Sequence, residues 1–244
     1  MADDSRQHQL VLFDIDGTLI FTGGAGGRAF SRAFTDVCHV ENGFDGIPLR
    51  GRTDAVILAD ALAKSGIEQS RELIDRFRST YIQRLSEELA RLPVSSCVLP
   101  GVVELLGALA RRPRTTTALL TGNYPATAKL KLDHSRLWGW FGTGAFGDDA
   151  PDRNGLVAVA LARARERGMP DLPPSAVVVV GDTPLDVACG RVNGTRTLAV
   201  ATGGYDVATL EAAGPDAALQ DLSDTGSVLA CFDRWARESA SARG

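Results

Sequence analysis

Four short apolar runs constrain this chain most: residues 10–14 (LVLFD), 116–120 (TTALL), 176–181 (AVVVVG) and 197–200 (TLAV), with 143–147 a weaker fifth. None of them alternates apolar with polar residues, so each reads as a strand buried on both faces. Helical patterns lie between them, near 101–112, 124–133, 154–168 and 184–193. Strands that alternate with helices imply an α/β fold, a Rossmann-like parallel sheet flanked by helices on both faces.

About a hundred residues separate the first two runs, far more than one crossover helix needs. Leu73, Phe77, Tyr81, Leu85 and Leu89 recur at i+4, with Ile74 and Ile82 beside them, as one apolar stripe on a long helix. Residues 53–63 predict another helix, with Thr53 as its N-cap. The gap therefore reads as a small all-helical cap domain over residues 22–94, with 1–21 and 95–244 forming the core. Its hinges are expected at Gly23–Gly27 and Pro93–Pro100, and the terminal SASARG is expected to fray.

Ligands of parallel α/β sheets bind beyond the carboxyl ends of the strands. Three polar segments follow apolar runs there: Asp14-Ile15-Asp16-Gly17-Thr18, Thr121-Gly122-Asn123, and Gly181-Asp182-Thr183-Pro184-Leu185-Asp186. Asp14 and Asp16 point the same way in an extended chain. Asp182 and Asp186 lie within one turn if a helix begins near Pro184. Two unit charges ~4 Å apart repel by about 4 kcal/mol at an effective dielectric of 20. Such a cluster calls for a counter-ion, and an all-oxygen ligand set suits magnesium. Thr18 alone reads as a turn-stabilising hydroxyl.

The bulk properties exclude other classes. The formal net charge is −4, from 26 basic and 30 acidic residues, which does not favour nucleic acid. Arg111, Arg112 and Arg114 read as a solvated helix end. No apolar run approaches the ~20 residues of a membrane helix, and residues 1–10 carry no apolar segment of signal-peptide type. Cys38, Cys97, Cys189 and Cys231 form no CxxC pair, so a reducing cytoplasm is expected.

These motifs resemble the haloacid dehalogenase superfamily, over about residues 10–220 and in the family's order. Its DxDxT motif is matched by Asp14, Asp16 and Thr18, its second motif by Thr121, and its acidic pair by Asp182 and Asp186. The helical insertion looks like that family's type 1 cap, as in phosphoglycolate phosphatases. Where many relatives carry a third-motif lysine, the best match here is Arg153, expected in a first helical turn. Lys129 and Lys131 come too early and read as surface charges.

The resemblance implies that Asp14 attacks phosphorus and that Asp16 protonates the leaving oxygen. Thr121, Gly122, Asn123 and Arg153 would hold the phosphoryl group. Asp14, Asp182, Asp186 and the Asp16 backbone carbonyl would hold magnesium. Dehalogenating members generally lack an acid at the place of Asp16, so its presence favours phosphoryl transfer. The implied partner is a small phosphorylated metabolite, phosphoglycolate-like or a sugar phosphate, acted on by a monomer or homodimer. Arg50 and Arg52, in the most polar segment of the cap, are candidates for meeting an acidic substrate.

Rival readings are weaker. Gly24-Ala25-Gly26-Gly27-Arg28-Ala29 fits G-x-G-x-x-A, but it lies ten residues past the strand and no second strand follows for about a hundred. No P-loop motif is present. A phosphomutase of the β-phosphoglucomutase kind would use the same aspartyl-phosphate. A phosphonate hydrolase would need an added cap lysine, and Lys64, the sole cap candidate, reads as solvated. A non-catalytic binding protein on this fold would leave convergent carboxylates that only destabilise it.

Overall fold

In the computed structural model, which describes residues 8–93 and 97–241, the apolar runs form one six-stranded parallel sheet. The strands are β1 (Gln9–Phe13), β2 (Thr115–Leu120), β3 (Gly144–Ala145), β4 (Val177–Gly181), β5 (Arg196–Val200) and β6 (Ala217–Leu219), in the order β3-β2-β1-β4-β5-β6. The three-residue β6 was not foreseen from sequence. Strand β1 is buried along its whole length, and its side chains divide between two cores. Val11 and Phe13 face one side with Leu105, Leu132, Phe232 and Trp235; Leu10 and Leu12 face the other with Leu156, Val157 and Ala160.

Helices α4 (Val102–Ala110), α5 (Pro125–His134) and α9 (Thr225–Ser241) cover the first face. Helices α6 (Leu156–Glu166), α7 (Pro184–Val192) and α8 (Val207–Ala212) cover the second. Part of the terminal SASARG segment is ordered helix: Ser239 is buried and its hydroxyl lies 2.9 Å from that of Ser175. Residues 242–244 lie outside the described residues, as do 1–7. In the basic cluster, Arg112 is paired with Asp233 at 2.8 Å.

Between β1 and β2 lie α1 (Ala25–Cys38), α2 (Asp54–Lys64) and α3 (Arg71–Leu89), around a core of their own. Phe30 packs edge-on against Phe77, Tyr81 and Phe44, with ring centroids 4.8, 4.9 and 5.0 Å apart. Such pairs add about 0.5–1.5 kcal/mol each beyond area burial. Buried Glu88 of α3 accepts from Arg28 and Arg32 of α1 at 2.8 and 3.2 Å, tying the two helices together. Thr53 caps α2 as expected, accepting from the Val56 amide. Ile82 is exposed and off the buried stripe of α3.

The glycine-rich stretch expected as a hinge is mostly helix. Gly23 and Gly24 turn with positive φ, and α1 then begins at Ala25 and runs through Gly26 and Gly27. The two crossings between the sheet and α1–α3 instead pair with each other. The Phe21 amide donates to the Cys97 carbonyl at 2.7 Å, and the Leu99 amide donates to Leu19 at 3.1 Å. Of the second expected hinge, residues 94–96 lie outside the described residues. Among the described residues, no helix is long and apolar enough to cross a membrane.

Candidate active site

Strand β1 sits between β2 and β4, where the strand order reverses, so the carboxyl ends of these three strands open into one crevice. Asp14, Thr121 and Asp182 follow them directly. The turn after β1 is tight: the Gly17 amide donates to the Ile20 carbonyl at 2.8 Å. Gly17 has φ +82°, and a Cβ there would lie 2.4 Å from Asp182 Oδ2, so conformation and space both require glycine.

Three buried carboxylates, Asp14, Asp182 and Asp186, present ligand atoms within 4.8 Å of one another. Burial first, then Asp186 and Asp16, pushes the Asp14 carboxyl up to about 6, although Arg153 opposes the rise. Burial, then Asp14 and Asp186, pushes Asp182 up to about 8. The chain's own cations thus leave this cluster under-neutralised. An oxygen-only donor set of this kind fits a divalent hard cation. The Asp16 carboxylate is outside this cluster. Thr18 does more than support the turn, since its hydroxyl donates to Asp182 Oδ1 at 3.3 Å. Asp186 is also the N3 residue of a capping box, accepting from the Thr183 amide and hydroxyl at 3.0 and 2.6 Å.

Arg153 is buried among these acids. Its Nη2 lies 3.4 Å from Asp14 Oδ1 and also contacts Asp186 Oδ1. The same nitrogen donates to the Leu120 carbonyl at 3.2 Å, and Nη1 donates to Gly51 at 3.4 Å. Its Nε is buried without a protein partner. Arg153 stands in the turn before α6, not in its first helical turn as expected. The two acids hold its charge in place.

Directly after β2, the Thr121 hydroxyl oxygen accepts from the Asn123 amide and side chain at 3.3 and 2.8 Å, leaving its own proton to donate. Gly122 is covered by the segment that leads into α2: a Cβ there would meet the Arg52 carbonyl oxygen at 2.1 Å. Its carbonyl accepts from the Asp54 amide at 2.7 Å, and Asp54 Oδ2 accepts from the Tyr124 amide at 2.9 Å. Burial in this join pushes the Asp54 carboxyl up to about 7, with nearby Lys131 opposing.

Lys131 overturns its reading as a surface charge. It is only 3% exposed, and its Nζ donates to Asp16 Oδ2 and Asn123 Oδ1, both at 2.6 Å. It lies on the buried face of α5 with Thr127, Ala128 and Leu132. Lys129 is exposed and paired with Asp133, as expected. Asp54 escaped notice because it reads as an ordinary acid in the first turn after a threonine cap.

Arg50 and Arg52 both line the cleft, a cavity of about 270 Å³. Arg52 is engaged within the cap, donating to Asp60 at 2.6 Å and to the Pro48 carbonyl at 3.1 Å. The Arg50 guanidinium lies 6.0 Å from the centre of the Tyr205 ring. Phe21, Phe30, Leu49 and Ile57 supply an apolar wall.

Comparison with known proteins agrees with this architecture. Residues 11–191 match the family model described as haloacid dehalogenase-like hydrolase. A protein described as probable phosphatase IndB, from Dickeya dadantii (strain 3937), is 26% identical over 229 residues, covering 88% of this chain and 90% of its own. A β-phosphoglucomutase from Clostridium difficile superposes with TM-score 0.72 at 13% identity, over 93% of this chain and 98% of that one. A structure described as a predicted phosphoglycolate phosphatase, from Haemophilus somnus 129pt, gives TM-score 0.66 at 17% identity, over 91% and 98%. At such identities the solved structures speak for the fold alone.

Proposed function

Since the chain belongs to the haloacid dehalogenase-like hydrolases and is an enzyme of that family, we propose that it is a magnesium-dependent phosphatase of small phosphate monoesters. The reaction runs through an aspartyl-phosphate on Asp14. The observation that carries this reading is the buried Asp14 carboxylate, grouped with Asp182 and Asp186 and faced by Arg153 at 3.4 Å. A carboxylate in that setting is a nucleophile whose own charge, and that of the phosphate, must be offset.

A carboxylate oxygen of Asp14 bonds to phosphorus as the bond from phosphorus to the leaving oxygen breaks. That oxygen keeps the electron pair and takes a proton from Asp16, so the alcohol leaves neutral. A water oxygen then attacks phosphorus and gives its proton to Asp16. The bond from phosphorus to Asp14 breaks, releasing phosphate and restoring both acids. Arg153, the Thr121 hydroxyl, the Gly122 amide and the Asn123 segment hold the phosphoryl oxygens. Asp14, Asp182 and Asp186, with the Asp16 backbone carbonyl, would hold magnesium, which supplies charge neutralisation and orientation of the phosphoryl group.

Residues 22–94 are assigned as the cap domain over residues 1–21 and 95–244. The cap closes the cleft to a volume suited to a small metabolite and keeps bulk water from the intermediate. The relative named as a probable phosphatase supports hydrolysis over transfer to a second sugar. The four free cysteines suit a reducing cytoplasm, where the enzyme acts as a monomer or homodimer.

The test is phosphoenzyme trapping with p-nitrophenyl phosphate, with magnesium and after exhaustive EDTA treatment. Phosphate is expected on Asp14 only when magnesium is present, and Asp16→Asn is expected to accumulate it. Full turnover without metal, or label on another residue, would overturn the reading.

A further inference from the structure

We propose that Lys131 is a positioning residue for Asp16, forming with Asn123 a clamp that fixes which carboxylate oxygen exchanges protons with the leaving group and the water. This inference rests on the acid–base role given to Asp16 above. Lys131 Nζ lies 2.6 Å from Asp16 Oδ2, and Asn123 Nδ2 lies 2.8 Å from the same oxygen. Two N–H donors therefore occupy Oδ2, which leaves Oδ1 to carry the proton. The clamp closes on itself, because Nζ also donates to Asn123 Oδ1 at 2.6 Å. Asn123 in turn is tied to Thr121. A phosphate-binding hydroxyl, the proton-transfer acid and a buried lysine thus form one connected unit.

The lysine is an expensive choice for a merely structural place. Its side chain is 4% exposed, on a helix face otherwise buried with Ala128 and Leu132. Holding an ammonium there costs several kcal/mol before pairing, and a methionine would fill the same space without that cost. The Asp16 side chain is 43% exposed and lines the cleft. Without a fixed partner it would sample several rotamers, and misplaced acid–base groups lose much of their effect. The cap takes part in the enclosure. A Cβ at Gly26 of α1 would lie 3.1 Å from Nζ and 3.3 Å from Cε, tighter than ordinary contact, so glycine there leaves room for the lysine tip.

The test compares two aryl esters of similar shape in Lys131→Met. A 2,4-dinitrophenolate leaving group departs without a proton, whereas a phenolate leaving group benefits from one. Phosphoenzyme formation from 2,4-dinitrophenyl phosphate is expected to stay within about 3-fold of wild type. Turnover of phenyl phosphate is expected to fall about 30-fold, part of the roughly 10²–10⁴-fold that a positioned proton donor contributes. The loss should lie in kcat with KM nearly unchanged. In a double-mutant cycle, adding Lys131→Met to Asp16→Asn should cost little more than Asp16→Asn alone.

Equal losses on both esters, or additive losses in the cycle, would overturn the proposal while leaving the phosphatase reading intact. Absence of any wild-type phosphoenzyme would instead remove the reading on which it rests. If the methionine variant does not fold, Lys131→Gln serves for the same ester comparison and the same cycle.

Discussion

The floor and the roof of the cleft treat charge in opposite ways. On the floor, Asp14, Asp182, Asp186 and Arg153 are each less than a tenth exposed and crowded together, with carboxyls pushed up to about 6 and about 8. On the roof, Arg52 is paired with Asp60, and Arg50 stands beside apolar surface. Phe21 is 55% exposed and Leu49 is 40% exposed beside the opening. Like charges held out of water carry a cost, whereas paired charges and apolar walls are ordinary packing. If Asp14 is the nucleophile proposed above, the floor is set by reaction type and the roof is left to suit a particular ester.

The contrast breaks most visibly at Asp14. Asp14→Asn should lower turnover of p-nitrophenyl phosphate by at least about 10³-fold, since an amide is a poor nucleophile. The variant should also unfold no earlier than wild type in metal-free buffer, because one member of a repelling buried triad becomes neutral. A large drop in melting temperature would mean that Asp14 is a structural ligand and that the floor is not strained.

Arg153→Met tests the same floor from the opposite sign. It removes the cation that faces Asp14 and Asp186, leaving buried acids without that partner. Losing one member of a buried ion pair costs about 3–5 kcal/mol. Denaturant unfolding in metal-free buffer should show a loss of that order, and added magnesium should recover part of it. An unchanged midpoint would show that the acids are already protonated or that solvent reaches them.

The same floor was legible in the sequence for the reason that makes it strained. Acids placed directly after apolar runs have few structural explanations, so Asp14, Asp16, Asp182 and Asp186 stand out from spacing alone. Arg153 was found through the resemblance, as the best match to the family's third-motif lysine. Lys131 was not, because it comes too early for that motif, in the helix after the second one. The helix that hides it has almost no contrast between its faces, and only burial reveals Thr127 and Lys131 on the inner one. Helix α1 was missed for another reason. Gly26 and Gly27 each cost up to about 1 kcal/mol in a helix, so locally they argue for a loop. The stripe Ala29, Phe30, Ala33, Phe34 and Val37 packs against α3 and overrides them. Strand β6 has three half-buried residues at the sheet edge, too few to form a pattern.

On the roof, the two arginines should part company. Arg50→Ala should raise KM for phosphoglycolate about 5-fold, a loss of about 1 kcal/mol, while leaving p-nitrophenyl phosphate unaffected. Arg52→Ala should change neither by more than about 2-fold, because its guanidinium is already spent on Asp60 and the Pro48 carbonyl. Steady-state kinetics on both esters decides this. A larger effect at Arg52 would place substrate recognition inside the cap's own ion pair.

A modest effect on stability is expected where floor and roof meet, at Asp54. Its amide and carboxylate both engage the loop that carries Thr121 and Asn123, through the Gly122 carbonyl and the Tyr124 amide. Its carboxyl is pushed up to about 7 in the folded chain, from an ordinary value of 3.8, chiefly by burial. A group raised in this way contributes stability that is fully present below about pH 4 and is lost as pH rises through about 7. Asp54→Asn cannot titrate there and keeps an oxygen for the Tyr124 amide. The variant should therefore gain stability relative to wild type between pH 4 and pH 8, by on the order of 1 kcal/mol, since part of Asp54 still meets solvent. Taking the difference between the two proteins cancels the titration of Asp14 and Asp182. A difference that stays flat with pH would mean that the Lys131 charge keeps Asp54 ionised throughout. The segment carrying Asp54 would then be fastened to α5 by a permanent charge pair, and that join would not respond to pH near neutrality.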